Sequence, residues 1–342
     1  MNTSRTILRT LAPLALAAGA LLAAGPASAQ PPPDYGHQFA TITHPGNRNA
    51  AGAELQYLPD LVVGQVNYEY RIARTETTIR QWIEFGNAYL AAHPEAPAAD
   101  TELLSGILYA QGRTLVVPNP QNLDSPMKMS WRMAARYCNW LHNDKAMTRE
   151  AFDAGAYDTA TFTENADGSF NDQATRSLGA RFWLPTRNEW VKATFYDPNR
   201  YGDGQEGYWR SPNGTDTLPI SGLPWEDGET SAGWDFPNLS YALPVGSYSQ
   251  VQSPWGLWDV SGGVTEHTES LVFGNAQRLA VGSHAQYSVY NLVDVPDPVI
   301  GFAFRPTWAE VAGFRIASAV PCPGVCSWMG VGLLLVRARR RK

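Results

Sequence analysis

The residues with the clearest chemical potential lie in and after one stretch, residues 253–267, which reads SPWGLWDVSGGVTEH. Glu266 and His267 close it, and His284 follows downstream. If His267 and His284 meet in space beside Glu266, they form a nitrogen and oxygen set of the kind that holds zinc or iron. His142 is the third histidine worth weighing. The stretch also carries Trp255, Trp258, Pro254 and three glycines, a density of turn formers and aromatics unsuited to a plain helix or strand. It reads as a buried, tightly turned loop whose backbone carbonyls must find partners. Thiol chemistry has less to draw on. The cysteines are Cys138, Cys322 and Cys326, too few for a disulfide scaffold. Cys138 falls in an expected helix, where a cysteine packs as a small apolar side chain.

Those side chains need elements to hold them. Residues 130–141, SWRMAARYCNWL, give the best helix, with Trp131, Ala134, Ala135, Cys138 and Leu141 on one face and Ser130 placed to cap. A second helix is expected over 75–90, with Ile79, Trp82, Ile83 and Phe85 as its apolar positions and Thr75 or Thr77 as its cap. A third covers 187–195, where Thr186 and Glu189 form a capping box. Short strands are expected at 68–72, 114–117, 245–248, 278–283 and 313–317. Residues 91–122 are otherwise irregular. Residues 197–238 form a long polar stretch of the sort that is usually functional or metal-tied in a compact domain. There is no internal repeat or heptad pattern, and the lack of βαβ alternation argues against a doubly wound parallel sheet. The expected class is α+β, with few short elements and much irregular loop.

The two ends carry addresses. Residues 1–29 read as an export signal: Arg5 and Arg9, an apolar run over 11–24, and Ala27-Ser28-Ala29 for cleavage. Residues 30–65 read as a linker or N-terminal extension, 66–318 as the folded domain, and 319–342 as a sorting or anchor tail. In that tail Pro321-Cys322-Pro323 precedes an apolar run over 325–336, short of the roughly twenty residues that cross a bilayer. Arg337, Arg339, Arg340, Arg341 and Lys342 follow, in keeping with the positive-inside rule. The layout resembles bacterial PEP-CTERM-type sorting tails, with Cys322 where such tails carry an acid. Together the ends imply a periplasmic, cell-surface or extracellular protein that meets a membrane only through its C-terminus. With 44% hydrophobic and 17% charged residues the chain can bury a sizeable core. Its net charge of −6, with no Lys/Arg block in the body, argues against nucleic acid as a partner.

Five segments, in order, resemble the formylglycine-generating enzyme family, also called the sulfatase-modifying factor family. Residues 70–85 are similar to its opening strand and "EVT…F" helix, here Glu76-Thr77-Thr78…Phe85. Residues 129–141 resemble "VSWxDAxxYCNWL", and 181–190, RFWLPTRNEW, resemble "RLPTEAEW". Residues 245–266 look like "VGSFxxNxWGLYDMxGNVWEW", and Gly313-Phe314-Arg315 matches the closing "GFR". The resemblance implies a fold related to C-type lectins. The long 196–238 insert and the tail look like the exported planctomycete-type branch of the family.

Known members use a cysteine pair to bind copper and oxidise a sulfatase cysteine to formylglycine, chemistry that needs thiolates. Here no cysteine lies between Cys138 and Cys322, and residues 283–297 read SHAQYSVYNLVDVPD. The family's "RGGSW" is Ala280-Val281-Gly282-Ser283-His284, and Cys322 and Cys326 lie in the tail, so the catalytic function and its copper do not transfer. The ergothioneine-type sulfoxide synthases of the family bind iron through an added helical domain that this sequence lacks. His267 and His284 stand where the family has Trp, so an aromatic-slot role competes with a transition-metal one. The family's calcium loop, carried over, makes Ser261, Gly262 and Val264 carbonyl ligands and Glu266 a carboxylate ligand, with Gly263 replacing an Asn. Asp235 and Asn238 are the counterpart for a second calcium.

The function these readings lead to is an exported, envelope-associated, calcium-stabilised and non-catalytic binding module for a peptide, glycan or partner protein. Exposed aromatics of residues 196–234 would suit stacking on a ligand. The alternative is a metal-dependent oxidoreductase that modifies protein side chains through copper or iron held by non-standard ligands.

Overall fold

The computed structural model describes residues 31–55, 60–98, 102–104, 108–233, 243–272, 277–285, 302–309 and 312–320. The export signal, Asp235, Asn238, Cys322, Cys326 and nearly all of the tail lie outside the described residues. In chain order the elements are β1 (Phe39–Ile42), β2 (Tyr70–Ala73), α1 (Ile79–Ala92), β3 (Tyr109–Gln111), β4 (Thr114–Val116), α2 (Trp131–His142), α3 (Arg149–Asp153), β5 (Phe182–Trp183), α4 (Arg187–Phe195), β6 (Tyr196–Asp197), β7 (Gly207–Tyr208), β8 (Glu266–Val272), β9 (Gln277–Val281), β10 (Phe302–Phe304) and β11 (Ala317–Ala319).

One antiparallel sheet runs β1-β2-β11-β5. β2 is central, so all four of its residues are buried. The segment read as a linker supplies β1, with Phe39 opposite Ala73 and Ile42 opposite Tyr70; it therefore belongs to the fold. A second sheet runs β10-β9-β8, with a bulge in β8 between His267 and Leu271. Of the expected strands, 245–248 is a turn instead. There the Val245 amide donates to the Asp124 carbonyl and the Gly246 amide donates to the Asp259 carboxylate, so no ladder can form. Residues 313–317 are extended, but regular pairing begins only at Ala317.

The helices follow from their caps and apolar faces. In α2, the Met133 amide donates to Ser130 Oγ, and Trp131, Ala134, Ala135, Cys138 and Leu141 are fully buried. In α4, Thr186 and Glu189 cap each other's amides. α1 starts later than expected, because Thr77 is tied down as extended chain: its amide donates to the Phe314 carbonyl and its carbonyl accepts from Met127. Thr78 is the cap, in a reciprocal box with Gln81. Rings from α1 and α2 (Trp82, Phe85, Tyr137 and Trp140) meet Phe152 of α3 and Phe314 in one aromatic core. The β6–β7 hairpin pins the start of the long insert, with Tyr196 opposite Tyr208 and both rings buried. Among the described residues no helix is long and apolar enough to cross a membrane.

Candidate functional site

The loop over 253–267 is held at both ends and at its tip. At its start, Ser253 Oγ accepts from the Leu257 amide at 3.1 Å and donates to the Ala193 carbonyl at 2.9 Å. At its tip three hydroxyls satisfy its backbone groups. Thr230 donates to the Ser261 carbonyl at 2.9 Å, the Gly262 amide donates to Ser283 Oγ at 2.9 Å, and the Gly263 amide donates to Ser231 Oγ at 2.8 Å. Thr230 and Ser231 come from the long insert, which thus clamps the loop. The two glycines are required by this closeness as well as by their positive φ. A Cβ on Gly262 would stand 2.6 Å from Ser231 Oγ, and one on Gly263 would stand 2.4 Å from Glu76 Oε1. The Glu76 carboxyl fills the space a side chain at 263 would need.

Glu266 is the electrostatic centre. Arg315, fully buried, donates through Nε at 2.6 Å and Nη2 at 2.5 Å to the two carboxylate oxygens, and the Trp190 indole adds a donor at 2.9 Å. Arg315 also donates to the carbonyls of Ala73, Arg74 and Trp258, so one side chain joins β2, the loop and β8. Of the expected calcium ligands Ser261, Gly262, Val264 and Glu266, the Glu266 carboxylate already accepts from Arg315 and the Ser261 carbonyl already accepts from Thr230. Two further acids face the pair. Burial, with Asp259 and Glu266 nearby, holds the Glu76 carboxyl well above the usual carboxylate range. Burial likewise pushes Asp259 up to about 6, against the opposing pull of the Gly246 amide and Arg315. Sequence reasoning missed this cluster, although an arginine between apolar neighbours, Phe314-Arg315-Ile316, is the signal of a buried charge that needs a partner.

Glu266 and His267 are successive residues of β8, so their side chains leave opposite faces. Glu266 meets Arg315, whereas the buried His267 donates through Nε2 to the Met129 carbonyl at 3.0 Å. Burial lowers the His267 pKa to about 4. His284 is also lowered to about 4 by burial, with Lys128 adding to the effect. His142 is committed through Nδ1, which accepts from the Arg181 amide at 3.1 Å. Among the described residues no three His, Cys, Asp or Glu side chains are arranged to hold a metal ion, so Glu266, His267 and His284 are not assembled into a transition-metal site. Cys138 is fully buried in α2, and burial raises its thiol pKa well above the ordinary value, the opposite of a reactive thiol.

What the loop does present is one wall of a surface cavity of about 500 Å³. Trp258 lines it, backed by the Arg74 guanidinium 5.6 Å from its ring and fixed through Nε1 to the Ser249 carbonyl at 3.2 Å. Tyr35 gives a second aromatic wall, and Gln81, Arg80 and Asp124 give planar polar groups. Arg80 and Asp124 hold each other by two hydrogen bonds of 2.9 and 3.1 Å. An aromatic wall beside planar donors and acceptors suits a ligand with an apolar face and many hydroxyl or amide groups.

A family model described as the sulfatase-modifying factor enzyme 1-like domain matches residues 42–318. Among solved structures, PvdO from Pseudomonas aeruginosa is similar at 13% identity and a TM-score of 0.43, over 83% of this chain and 92% of that one. No curated protein matches the sequence. With the match running from the end of β1 into β11 and taking in α1 to α4, the chain belongs to the sulfatase-modifying factor (FGE-sulfatase) family.

Proposed function

We propose that the chain is an exported, envelope-associated binding domain of this family, which takes a glycan or peptide in the cavity between Trp258, Tyr35 and the first turn of α1, and performs no thiol chemistry. The observation that carries this reading is the fate of the thiols: Cys138 is sealed in the core, and the sequence has no cysteine from there to Cys322. The copper-binding pair of catalytic relatives therefore has no counterpart within the domain. The cavity supports the other half of the reading, since rigid aromatic walls next to hydrogen-bonding side chains hold a sugar or peptide at little entropic cost. The Arg315 bond to Glu266 supports a loop at residues 261–266 that is held without calcium.

The test is an array of envelope glycans and short peptides probed with the purified chain and with a Trp258→Ala variant. Retention of a ligand by the wild type, weakened about tenfold or more in the variant, supports the reading. Ligands held equally by both proteins would place binding elsewhere.

A further inference from the structure

A second cavity, of about 380 Å³, opens where the first turn of α4 meets β8. Its polar lining includes Thr186, Arg187, Asn188 and Ser270, and its apolar lining Leu271, Val272 and Leu279. Several of these polar groups are donors with no acceptor among the described residues. The half-buried Arg187 guanidinium has no carboxylate or carbonyl partner among the described residues, and burial without compensation lowers its pKa. Ser270 Oγ and Thr186 Oγ1 each accept a backbone amide, from Arg187 at 2.9 Å and from Glu189 at 3.1 Å, and their own hydrogens have no described acceptor. Asn188 accepts from the Gly64 amide through Oδ1 at 3.1 Å, leaving its amide hydrogens free among the described residues. Glu269 also lines the cavity, but its carboxylate is taken by Arg176 and Tyr157.

The walls are fixed before any ligand arrives. Arg278, 3.7 Å from the Trp131 ring, donates to the carbonyls of Gln173 at 2.8 Å and Ala174 at 3.2 Å. Arg176 bridges Glu189 and Glu269, and so ties the same segment to α4 and β8.

A pre-formed pocket that sets an unpaired guanidinium and two hydroxyl donors against branched aliphatic side chains is complementary to one kind of group. The guanidinium fork matches a planar oxyanion, and Leu271, Val272 and Leu279 match a short apolar body. We propose that this cavity is a binding site for a carboxylate carried on a short branched aliphatic body, with the carboxylate on Arg187, Thr186 and Ser270. The site is separate from the Trp258 cavity and does not depend on what that cavity binds.

The experiment is calorimetric titration of the purified full chain with 4-methylpentanoate, with 4-methylpentanamide, with sodium sulfate, and with N-acetyl-alanyl-leucine, which presents the same group at a peptide end. The expected result is saturable binding of 4-methylpentanoate or of the dipeptide, the tighter of the two identifying a free acid or a peptide terminus as the source. Binding should fall about tenfold or more for the amide and for Arg187→Gln, with Arg187→Lys in between because it keeps the charge and loses the fork. Leu271→Ser should also weaken binding while sparing the fold. Arg187 is a partly exposed helix-start residue, so melting of Arg187→Gln within a few degrees of wild type will show that lost binding is not lost folding. Failure of both carboxylates to saturate the wild type, an unchanged affinity in Arg187→Gln, or sulfate binding as tightly as 4-methylpentanoate would each overturn the proposal.

Discussion

Arg315 ties β2, the loop and β8 together through five hydrogen bonds, and two predictions belong to its surroundings. Removing one partner of a buried ion pair leaves the other charge uncompensated, so Arg315→Met should destabilise the domain by about 3–5 kcal/mol in urea unfolding. Adding Glu266→Leu should restore most of that loss, because replacing both charges by apolar groups is often neutral. The second concerns pH. Asp259, facing Glu76, Glu266 and Arg315, has a folded pKa raised from 3.8 to about 6. A carboxyl with a raised folded pKa stabilises fully below its unfolded value and loses that stabilisation as pH rises through the folded one. Wild-type melting temperature should therefore fall relative to Asp259→Asn between about pH 4 and pH 6. Parallel melting curves across that window would show that Asp259 is not strained in its ionised form. Neither acid was legible in the sequence. Glu76 sits in ordinary polar surroundings along the chain and Asp259 between Trp258 and Val260, and only folding brings them to the same arginine.

At the scale of elements, what was legible is what is local. Ser130 and Thr186 cap the helices they precede, since a cap and its amide lie within one turn. The start of α1 was misplaced because Thr77 is claimed by Phe314, a partner far along the chain. β8 was not recognised as a strand: Glu266, His267 and Glu269 break the alternation expected of a half-buried strand, and these polar side chains find their partners, Arg315, Met129 and Arg176 among them, only in the fold. β1 escaped notice for the same reason, its Pro- and Gly-bearing flanks masking a strand that exists through its pairing with β2. The hydroxyl clamp on the loop also lives at this scale. Thr230→Ala combined with Ser231→Ala should cost about 1 kcal/mol per lost hydrogen bond. Proteolysis should then cut first within residues 253–264, whereas an unchanged digestion pattern would mean that the loop is held by Ser253 and Arg315 alone.

For the whole molecule, the family was readable because five short segments fall in register, although each alone is common in turns and cores. The sequence has no cysteine between Cys138 and Cys322, and the Glu266 carboxylate is held by Arg315. The melting temperature should therefore shift by no more than about 1 °C between millimolar calcium and EDTA, and a rise of several degrees with calcium would require a ligand set other than residues 261–266. The central claim, binding in place of thiol oxidation, is tested most directly by oxygen uptake. The purified chain is given copper(I), a reductant and a cysteine-containing peptide, and the peptide is weighed by mass spectrometry. Uptake no faster than in a protein-free copper control, with the peptide cysteine not converted to an aldehyde, is the result predicted. Protein-dependent uptake with conversion of that cysteine to an aldehyde would contradict it.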